Sequence, residues 1–180
     1  KFLAALPFFH VFAMTVAMMT GLRYGAQIIM LPRFDLKTCL RAVANKKPTF
    51  FPAVPTIFNA INTFPDIDKY DLSSLKLCIS GGAPLPVEVK KEFERISSCV
   101  VVEGYGLSET SPVATTNPTV GINKPGSVGI PMPGTTIEIH SVEEPHEVLP
   151  IGRRGEICIR GPQVMKGYWD NPDETANAIK

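Results

Sequence analysis

The chain has 180 residues, of which 44% are hydrophobic and 19% are charged, with a formal net charge of +1. This composition is that of a globular protein with enough apolar material for a core, and its near-zero net charge gives no electrostatic case for binding to nucleic acid or to a membrane surface. The four cysteines form no CxxC pair. Their spacing argues against a disulfide framework or a zinc site and favours reduced thiols in a cytosolic protein.

The first apolar segment, residues 2–22, is long enough to raise the question of a membrane span. Pro7, His10 and Gly21 interrupt it, and Arg23 ends it. A buried strand followed by a buried helix is therefore favoured over a spanning helix. A membrane-inserted hairpin is the alternative, and it requires this segment to be one continuous helix.

Up to about residue 105, short apolar runs alternate with longer segments that have helical spacing. The runs are FLAAL, AQIIML, PTFFPAV, LKLCIS and CVVVEG, and the helical segments are HVFAMTVAMMTGL, DLKTCLRAVANKK, PTIFNAINTF and PVEVKKEFERI. In the second helical segment Asp35 is the predicted N-cap, and Leu40 and Val43 belong to one apolar stripe. The alternation predicts an α/β fold: a mostly parallel sheet with helices on both faces, whose apolar strands are buried on both sides.

After about residue 118 the pattern changes. GSVGIPMPG is rich in turn residues, and TTIEIHSV and GEICIRG alternate apolar and polar residues, which predicts half-buried antiparallel strands. We expect an α/β subdomain at residues 1–120 followed by a small antiparallel β-rich subdomain at 121–180. The segment at 144–147 is a predicted surface turn, and His140 and His146 are predicted surface residues.

Two glycine-rich segments each follow a predicted strand. SGGAPLP, at 80–86, opens a helix, so its glycines permit close approach and its free N–H groups can face an anion or a polar ligand edge. EGYGLSETSP, at 103–112, lies just past a parallel strand, at the edge where open α/β sheets bind ligands. The simpler alternatives are an ordinary strand-to-helix turn and a loop whose Ser108 and Glu109 only cap the next turn.

The side chains of the second segment suit a nucleotide. Tyr105, between Gly104 and Gly106, can present its ring to a base, a contact worth about 1–3 kcal/mol. Ser108 can donate a hydrogen bond to a phosphate oxygen. Glu109 is a hard oxygen ligand suited to Mg²⁺ shared with that phosphate.

His10, in PFFHVF, lies between aromatic residues at another strand exit. It is a catalytic candidate there, and a hydrogen-bonded core histidine is the alternative.

Five segments occur in the order LPFFHVF, SGGAPLP, EGYGLSETSP, GSVGIPMPG and GEICIRGPQVMKGYW. Together they resemble the motifs of adenylate-forming, AMP-binding enzymes, and the chain is most similar to bacterial long-chain fatty acyl-CoA synthetases. The resemblance covers essentially the whole chain. It implies an enzyme that joins a fatty acid to ATP, releases pyrophosphate, and transfers the acyl group from the acyl-adenylate to coenzyme A. It also implies Mg²⁺, the small-molecule substrates fatty acid, ATP and coenzyme A, and a cytoplasmic location compatible with peripheral membrane contact.

The resemblance implies roles for residues at the matching positions. Gly82 and Ala83 border the adenine, and Tyr105 packs against it. Glu103 and Gly104 line the same pocket.

The remaining implied roles concern the phosphates and the acid. Gly106 and Ser108 belong to the nucleotide site, with Ser108 at the α-phosphate, and Glu109 binds Mg²⁺ as a catalytic group. His10 lies beside the acyl carboxylate. The segment PFFHVFAMTVAMM helps to form the wall of the acyl pocket.

Several parts of the family pattern are not found in these 180 residues. They are the Ser/Thr/Gly-rich phosphate loop, the ribose-binding aspartate of a TGD segment, and the C-terminal domain with its catalytic lysine. We therefore predict that the chain is an internal piece of a large N-terminal domain and catalyses no adenylation alone.

Rival enzymes within the superfamily are aryl-acid ligases, nonribosomal adenylation domains and luciferase-like enzymes. Small and flexible side chains at Ala13, Met14, Ala17 and Met18 favour an alkyl substrate over a charged amino acid. A non-catalytic binding module is the rival from another class.

Overall fold

The computed structural model describes residues 1–144 and 147–179 and places nine strands of this part of the chain in two sheets. The larger sheet has the order β2-β1-β3-β4-β5-β6-β7, in which the first five strands are parallel and β6 and β7 are antiparallel. The smaller sheet pairs β8 with β9 in antiparallel fashion. This arrangement confirms the predicted fold class. The strands are β1 Phe2–Ala4, β2 Ile28–Met30, β3 Phe50–Ala53, β4 Leu77–Ser80, β5 Val100–Gly106, β6 Val113–Thr116, β7 Ile130–Pro131, β8 Thr136–His140 and β9 Glu156–Arg160.

Helices connect the parallel strands, as the sequence predicts. The first connection is one continuous helix over residues 11–23 whose middle has π-helical geometry, a feature that often occurs at functional sites. The helical elements are α1 Val11–Ala13, a π-helical segment Met14–Met19, α2 Thr20–Arg23, α3 Leu36–Lys46, α4 Pro55–Asn62, α5 Val87–Ser97, α6 Pro172–Ala178, and the 3₁₀ turns Ile67–Lys69 and Ser108–Thr110.

Helix α3 shows why these segments fold as predicted. The Asp35 side chain accepts a hydrogen bond from the Thr38 backbone N–H at 2.8 Å, so the predicted N-cap is confirmed. Leu40 and Val43 are fully buried on the predicted stripe. The helix ends at Lys47, whose left-handed backbone (φ 55°) turns the chain towards β3.

The sheet buries one face under three helices and the other under the first helix. Phe51 packs edge-on against Phe58 of α4, and Phe58 packs against Phe93 of α5, with ring centroids 5.9 and 4.8 Å apart. On the opposite face, a Cβ at Gly21 of α2 would lie 2.8 Å from the Ile28 side chain. The connection from β1 runs to β2 on one side of it, and the connection from β3 runs to β4 on the other side. Because both crossovers are right-handed, their helices lie on opposite faces of the sheet, as predicted.

Two details of the strand predictions are wrong. Strand β2 is not buried on both sides, because it lies at the sheet edge with one neighbour, and Met30 is 65% exposed. Strand β5 continues beyond the predicted run CVVVEG to Gly106, because β6 pairs with residues 104–106 after the parallel pairing with β4 has ended at Glu103.

The first apolar segment begins as strand β1 and becomes a helix only at Val11. The membrane-inserted hairpin is therefore wrong, because it required one continuous helix. Within residues 1–144 and 147–179, none of the helices has the length and apolarity needed to cross a membrane. Peripheral membrane contact stays a prediction.

Strands β8 and β9 form the predicted antiparallel pair. His140, a predicted surface residue, is half-buried, and its Nε2 lies 3.1 Å from a Glu138 carboxylate oxygen. Strand β7 falls within residues 121–180 but pairs with β6 in the large sheet, so the subdomain boundary stays a prediction. The predicted turn at 144–147 is only partly visible, because Pro145 and His146 lie outside the described residues.

Cys39, Cys78 and Cys99 are buried thiols outside any disulfide, as predicted for reduced core cysteines. Burial raises the pKa of the Cys39 thiol to about 12, so this thiol stays protonated at neutral pH.

Candidate functional site

The parallel strands end at one edge of the sheet, and the SGGAPLP segment leaves that edge from β4. Ser80, the last residue of β4, pairs with Ala53 on one side and with Glu103 on the other. Gly81 donates its N–H to the Ala53 carbonyl at 3.3 Å. Gly82 has φ +80°, a left-handed conformation that favours glycine. The exposed Gly82 backbone therefore lies at the carboxyl edge of the sheet, as predicted.

His10 lies at the edge of the sheet where the connections after β1 and β3 leave towards opposite faces. Strand β1 leads to the helix on one face and β3 leads to α4 on the other, and such a divergence is where α/β sheets bind ligands. The Phe12 ring reaches the second strand exit, since a Cβ at Gly81 would lie 3.2 Å from it. His10 is exposed at the start of α1 and makes no capping hydrogen bond with its side chain. The alternative of a core histidine is therefore wrong.

A buried carboxylate joins the two glycine-rich segments. Glu103 is 7% exposed, and its Oε1 accepts a hydrogen bond from the Leu85 backbone N–H at 2.9 Å. Its backbone carbonyl accepts from the Asn117 N–H at 2.8 Å. The hydrogen bond from Leu85 matters to the buried side chain, because a buried polar group without a hydrogen bond is costly. Glu103 thus holds SGGAPLP against the end of β5.

Tyr105 lies two residues beyond Glu103 on the same strand, and the two side chains project from the same face of the sheet. Its side chain is half-buried. The intervening Gly104 lets β6 approach closely, because a Cβ there would lie 3.3 Å from the Thr115 carbonyl oxygen. Of the predicted adenine-site residues, the structure therefore brings Gly82, Glu103, Gly104 and Tyr105, with Ala83 beside Gly82, to one edge.

The turn after β5 depends on Gly106 and Thr110. A Cβ at Gly106 would lie 1.6 Å from the Pro112 carbonyl oxygen, so only glycine fits. The Thr110 hydroxyl accepts from the Leu107 N–H at 2.9 Å and donates to the Pro112 carbonyl at 2.8 Å. Thr110 therefore caps this turn, and the alternative in which Ser108 and Glu109 are its caps is wrong. Ser108 is exposed.

Glu109 is held at both its side chain and its main chain by a distant segment. The Tyr168 hydroxyl donates to Glu109 Oε1 at 2.6 Å, and the Met165 N–H donates to the Glu109 carbonyl at 2.8 Å. The hydrogen bond from Tyr168 lowers the pKa of Glu109, and the same bond raises the pKa of Tyr168. Both shifts favour an ionised carboxylate beside a protonated phenol.

Tyr168 is a residue to which the sequence analysis assigns no role. Its only local signal is the Gly-Tyr pair at the end of GEICIRGPQVMKGYW. Glu109 and Tyr168 also share a cavity of about 570 Å³ with Leu107 and residues of β8 and β9. Of the predicted site residues, only Glu109 lines this cavity.

The side chains around Glu109 could hold a cation only if a bound substrate and water supplied its other ligands. Among the described residues there is no group of three or more His, Cys, Asp or Glu that could hold a metal ion. A cation at Glu109 would therefore take its other ligands from phosphate oxygens and water. This is the usual mode for Mg²⁺, which binds through one or two carboxylates together with substrate phosphates.

Comparison with known proteins gives consistent matches along the chain. A long-chain-fatty-acid–CoA ligase of Bacillus subtilis (strain 168) is 48% identical over 180 residues, which are 100% of this chain and 32% of that protein. A 4-coumarate–CoA ligase of Pinus taeda is 37% identical over 98% of this chain and 34% of its own length. The crystal structure of ATP-bound MatB from Rhodopseudomonas palustris matches with a TM-score of 0.86 and 32% identity, over 98% of this chain and 34% of that one.

The chain thus spans about a third of the length of these relatives. The family profile described as AMP-binding enzyme matches residues 1–169, which takes in both glycine-rich segments, Glu109 and Tyr168. The chain therefore belongs to the AMP-binding enzyme family.

Proposed function

We propose that the full-length protein carrying this chain is an AMP-forming fatty acid–CoA ligase. The observation that carries the proposal is the hydrogen bond between Glu103 and the Leu85 N–H, which joins the two glycine-rich segments at the carboxyl edge of the sheet. The 48% sequence identity to a long-chain-fatty-acid–CoA ligase over the whole chain supports a fatty acid as the substrate. As a CoA ligase of this family, the full-length protein would use ATP and coenzyme A as co-substrates.

In this proposal the adenine lies at the carboxyl edge of β4 and β5. Gly82 and Ala83 border it, because both are exposed and neither has a bulky side chain. Tyr105 packs its half-buried ring against the base. Glu103 and Gly104 keep the two segments close together, so the pocket is formed before the nucleotide arrives.

The phosphates lie beyond the end of β5. Gly106 allows the sharp turn, which leaves Ser108 exposed and able to donate to the α-phosphate. Glu109 supplies a carboxylate for Mg²⁺, and the bound cation would supply neutralisation of phosphate charge. His10, exposed at the divergence of the connections, lies beside the acid carboxylate.

The first half-reaction joins two anions, so charge and orientation limit it. The acid carboxylate oxygen attacks the α-phosphorus of ATP, the bond to the β-phosphate oxygen breaks, and pyrophosphate leaves with the electron pair. The site contributes by holding the two reactants in line and by offering donors where negative charge develops. In the second half-reaction the thiol of coenzyme A attacks the acyl carbon and AMP leaves.

Two substitutions in the full-length protein test the assignment of roles. Glu109→Ala should lower kcat for ATP–pyrophosphate exchange by at least about a hundredfold, because it removes a carboxylate ligand of the cation that would neutralise the phosphate charge. Tyr105→Ala should mainly raise the Kd for ATP, by about 1–3 kcal/mol of lost stacking. Equal effects of both substitutions on kcat alone would contradict this division of roles.

The acid substrate is tested with a panel of carboxylic acids and a CoA-thioester assay. We expect the highest kcat/KM for medium- or long-chain fatty acids. Met14 and Met18 are half-buried and can adapt to an alkyl chain, whereas Ala13 and Ala17 are buried against the sheet. An aryl-acid ligase is the second candidate, favoured by the 4-coumarate–CoA ligase relative, and a preference for coumarate or benzoate would establish it. A full-length protein that binds nucleotide but activates no acid would be a binding module instead.

A further inference from the structure

We propose that Tyr168 is a positioning residue for Glu109: its hydroxyl holds the Glu109 carboxylate in the orientation in which that carboxylate binds the cation accompanying the nucleotide. The inference rests on the proposed function, which makes Glu109 a metal ligand, and it adds a residue to which that function assigns no part. Tyr168 itself touches neither the cation nor the reacting atoms, so its effect passes through Glu109.

The contact has the geometry of a strong hydrogen bond. The phenol oxygen and Glu109 Oε1 are 2.6 Å apart, within the range of charge-assisted O–H···O⁻ bonds. A carboxylate has about four lone-pair positions. The bond to Tyr168 uses one of them on Oε1 and leaves Oε2 open to a cation. It also removes the rotational freedom that an exposed glutamate would otherwise lose on binding the metal.

Tyr168 is itself held in place from the far side. Its backbone N–H donates to the Thr175 hydroxyl at 2.9 Å, and that hydroxyl donates to the Asn171 carbonyl at 2.8 Å. A Cβ at Gly167 would lie 2.7 Å from the Thr175 side chain, so the chain wraps tightly around this residue. Asn171 in turn caps α6 by accepting from the Glu174 N–H at 3.3 Å. A series of hydrogen bonds therefore leads from α6 through Tyr168 to the Glu109 carboxylate.

The same segment also fixes the Glu109 backbone. The Met165 N–H donates to the Glu109 carbonyl at 2.8 Å, so residues 165–168 contact Glu109 at two points on opposite sides of its Cα. A single surface contact would leave the backbone free to turn the carboxylate away. Two contacts from one segment determine both the position and the direction of the side chain.

The test compares Tyr168→Phe with wild type in the full-length protein and uses binding of Mn²⁺, followed by electron paramagnetic resonance, as its readout. α,β-Methylene-ATP is the nucleotide, since its bridge is not cleaved. We expect the Kd for Mn²⁺ in the presence of the analogue to rise about tenfold, at the lower end of the effect typical when a metal ligand loses its hydrogen-bond partner. Binding of the analogue without metal and the melting temperature should stay close to wild type, which a merely structural role would not allow.

Control variants make the outcome specific. Tyr24→Phe removes the hydroxyl of a tyrosine that is 77% exposed, and this variant should bind Mn²⁺ with the same Kd as wild type. Thr175→Val removes the hydroxyl that accepts from the Tyr168 N–H and should weaken Mn²⁺ binding in the same direction by less. In the double variant Tyr168→Phe/Glu109→Gln, the first substitution should add nothing to the second, because Tyr168 acts only through the Glu109 carboxylate.

The outcomes that overturn the inference differ from those that overturn the proposed function. Tyr168→Phe with wild-type Mn²⁺ affinity, while Glu109→Gln binds weakly, would overturn the positioning role alone. A further loss of affinity in the double variant would also overturn it, because Tyr168 would then act independently of Glu109. Glu109→Gln with wild-type affinity would instead remove Glu109 from the metal site and contradict the proposed function at that residue.

Discussion

The part of the chain up to Asn117 and the part after it are held together by different forces. The first part contains the core, including Phe51, Phe58 and Phe93, all fully buried. After Asn117 none of the described residues is buried. The second part has backbone pairing between β8 and β9 and polar contacts such as Tyr168 to Glu109. The proposed nucleotide end of the candidate site thus lies on the part of the chain that contains the core. Glu109, the proposed metal ligand, lies where a segment with few buried residues meets that part.

The largest expected effect tests where the stability resides. Phe93→Ala should lower the free energy of unfolding by about 3–5 kcal/mol, because it leaves a cavity between α5 and the sheet. Ile137→Ala in β8 should cost clearly less, because that side chain is only half-buried and has little apolar area to lose. Urea unfolding followed by circular dichroism measures both. Equal losses would mean that the β8–β9 pair carries a core of its own.

The next effect concerns the turn between β5 and β6, at which the segment around Tyr168 contacts the first part of the chain. Gly106→Ala puts a methyl group 1.6 Å from the Pro112 carbonyl oxygen, so the backbone must move, at a cost of about 1–3 kcal/mol or more. Because Ser108 and Glu109 follow directly, ATP binding should fall together with the melting temperature.

Gly104→Ala is the matched control for stability, since its Cβ would meet the Thr115 carbonyl oxygen only at 3.3 Å and should need a small shift. A melting curve measures stability, and calorimetric titration with ATP measures the affinity of Gly106→Ala against wild type. If Gly106→Ala bound ATP as tightly as wild type, the geometry of this turn would not matter for the site.

The difference between the two parts of the chain also explains which features of the structure can be predicted from the sequence. The alternation of strands and helices is predicted because hydrophobic period and caps such as Asp35 are local signals. The exposure of Met30 could not be predicted from the sequence, because it depends on which strand lies at the edge of the sheet. The need for glycine at Gly106 depends on a carbonyl that returns from the next turn. The bond between Glu109 and Tyr168 joins residues 59 positions apart, and no local pattern marks such a pair.

A smaller effect is expected at the joint between the glycine-rich segments. Glu103→Ala removes the acceptor for the Leu85 N–H and leaves a buried donor unpaired, which costs about 1–3 kcal/mol. Glu103→Gln keeps an oxygen in reach and should cost less. Hydrogen exchange at the Leu85 amide is the direct measurement, with faster exchange expected in the alanine variant. Unchanged protection in that variant would show that SGGAPLP is held in place by packing alone.

The smallest effect on stability is expected from an exposed polar contact in the first part of the chain, which the buried core already stabilises. Lys47 and Asp71 form an exposed ion pair, and the hydrogen bonds from Lys47 and then Ser73 hold the pKa of Asp71 well below its usual range. A depressed carboxyl pKa stabilises the fold at pH values above the unfolded pKa, about 3.9, and this contribution is lost as pH falls through the folded pKa. Asp71→Asn should therefore lower the melting temperature slightly at neutral pH, and the difference from wild type should shrink in strong acid. A difference that grew on acidification would reverse the sign of this linkage, and one as large as that of Phe93→Ala would mean that polar contacts, not the core, stabilise the first part of the chain.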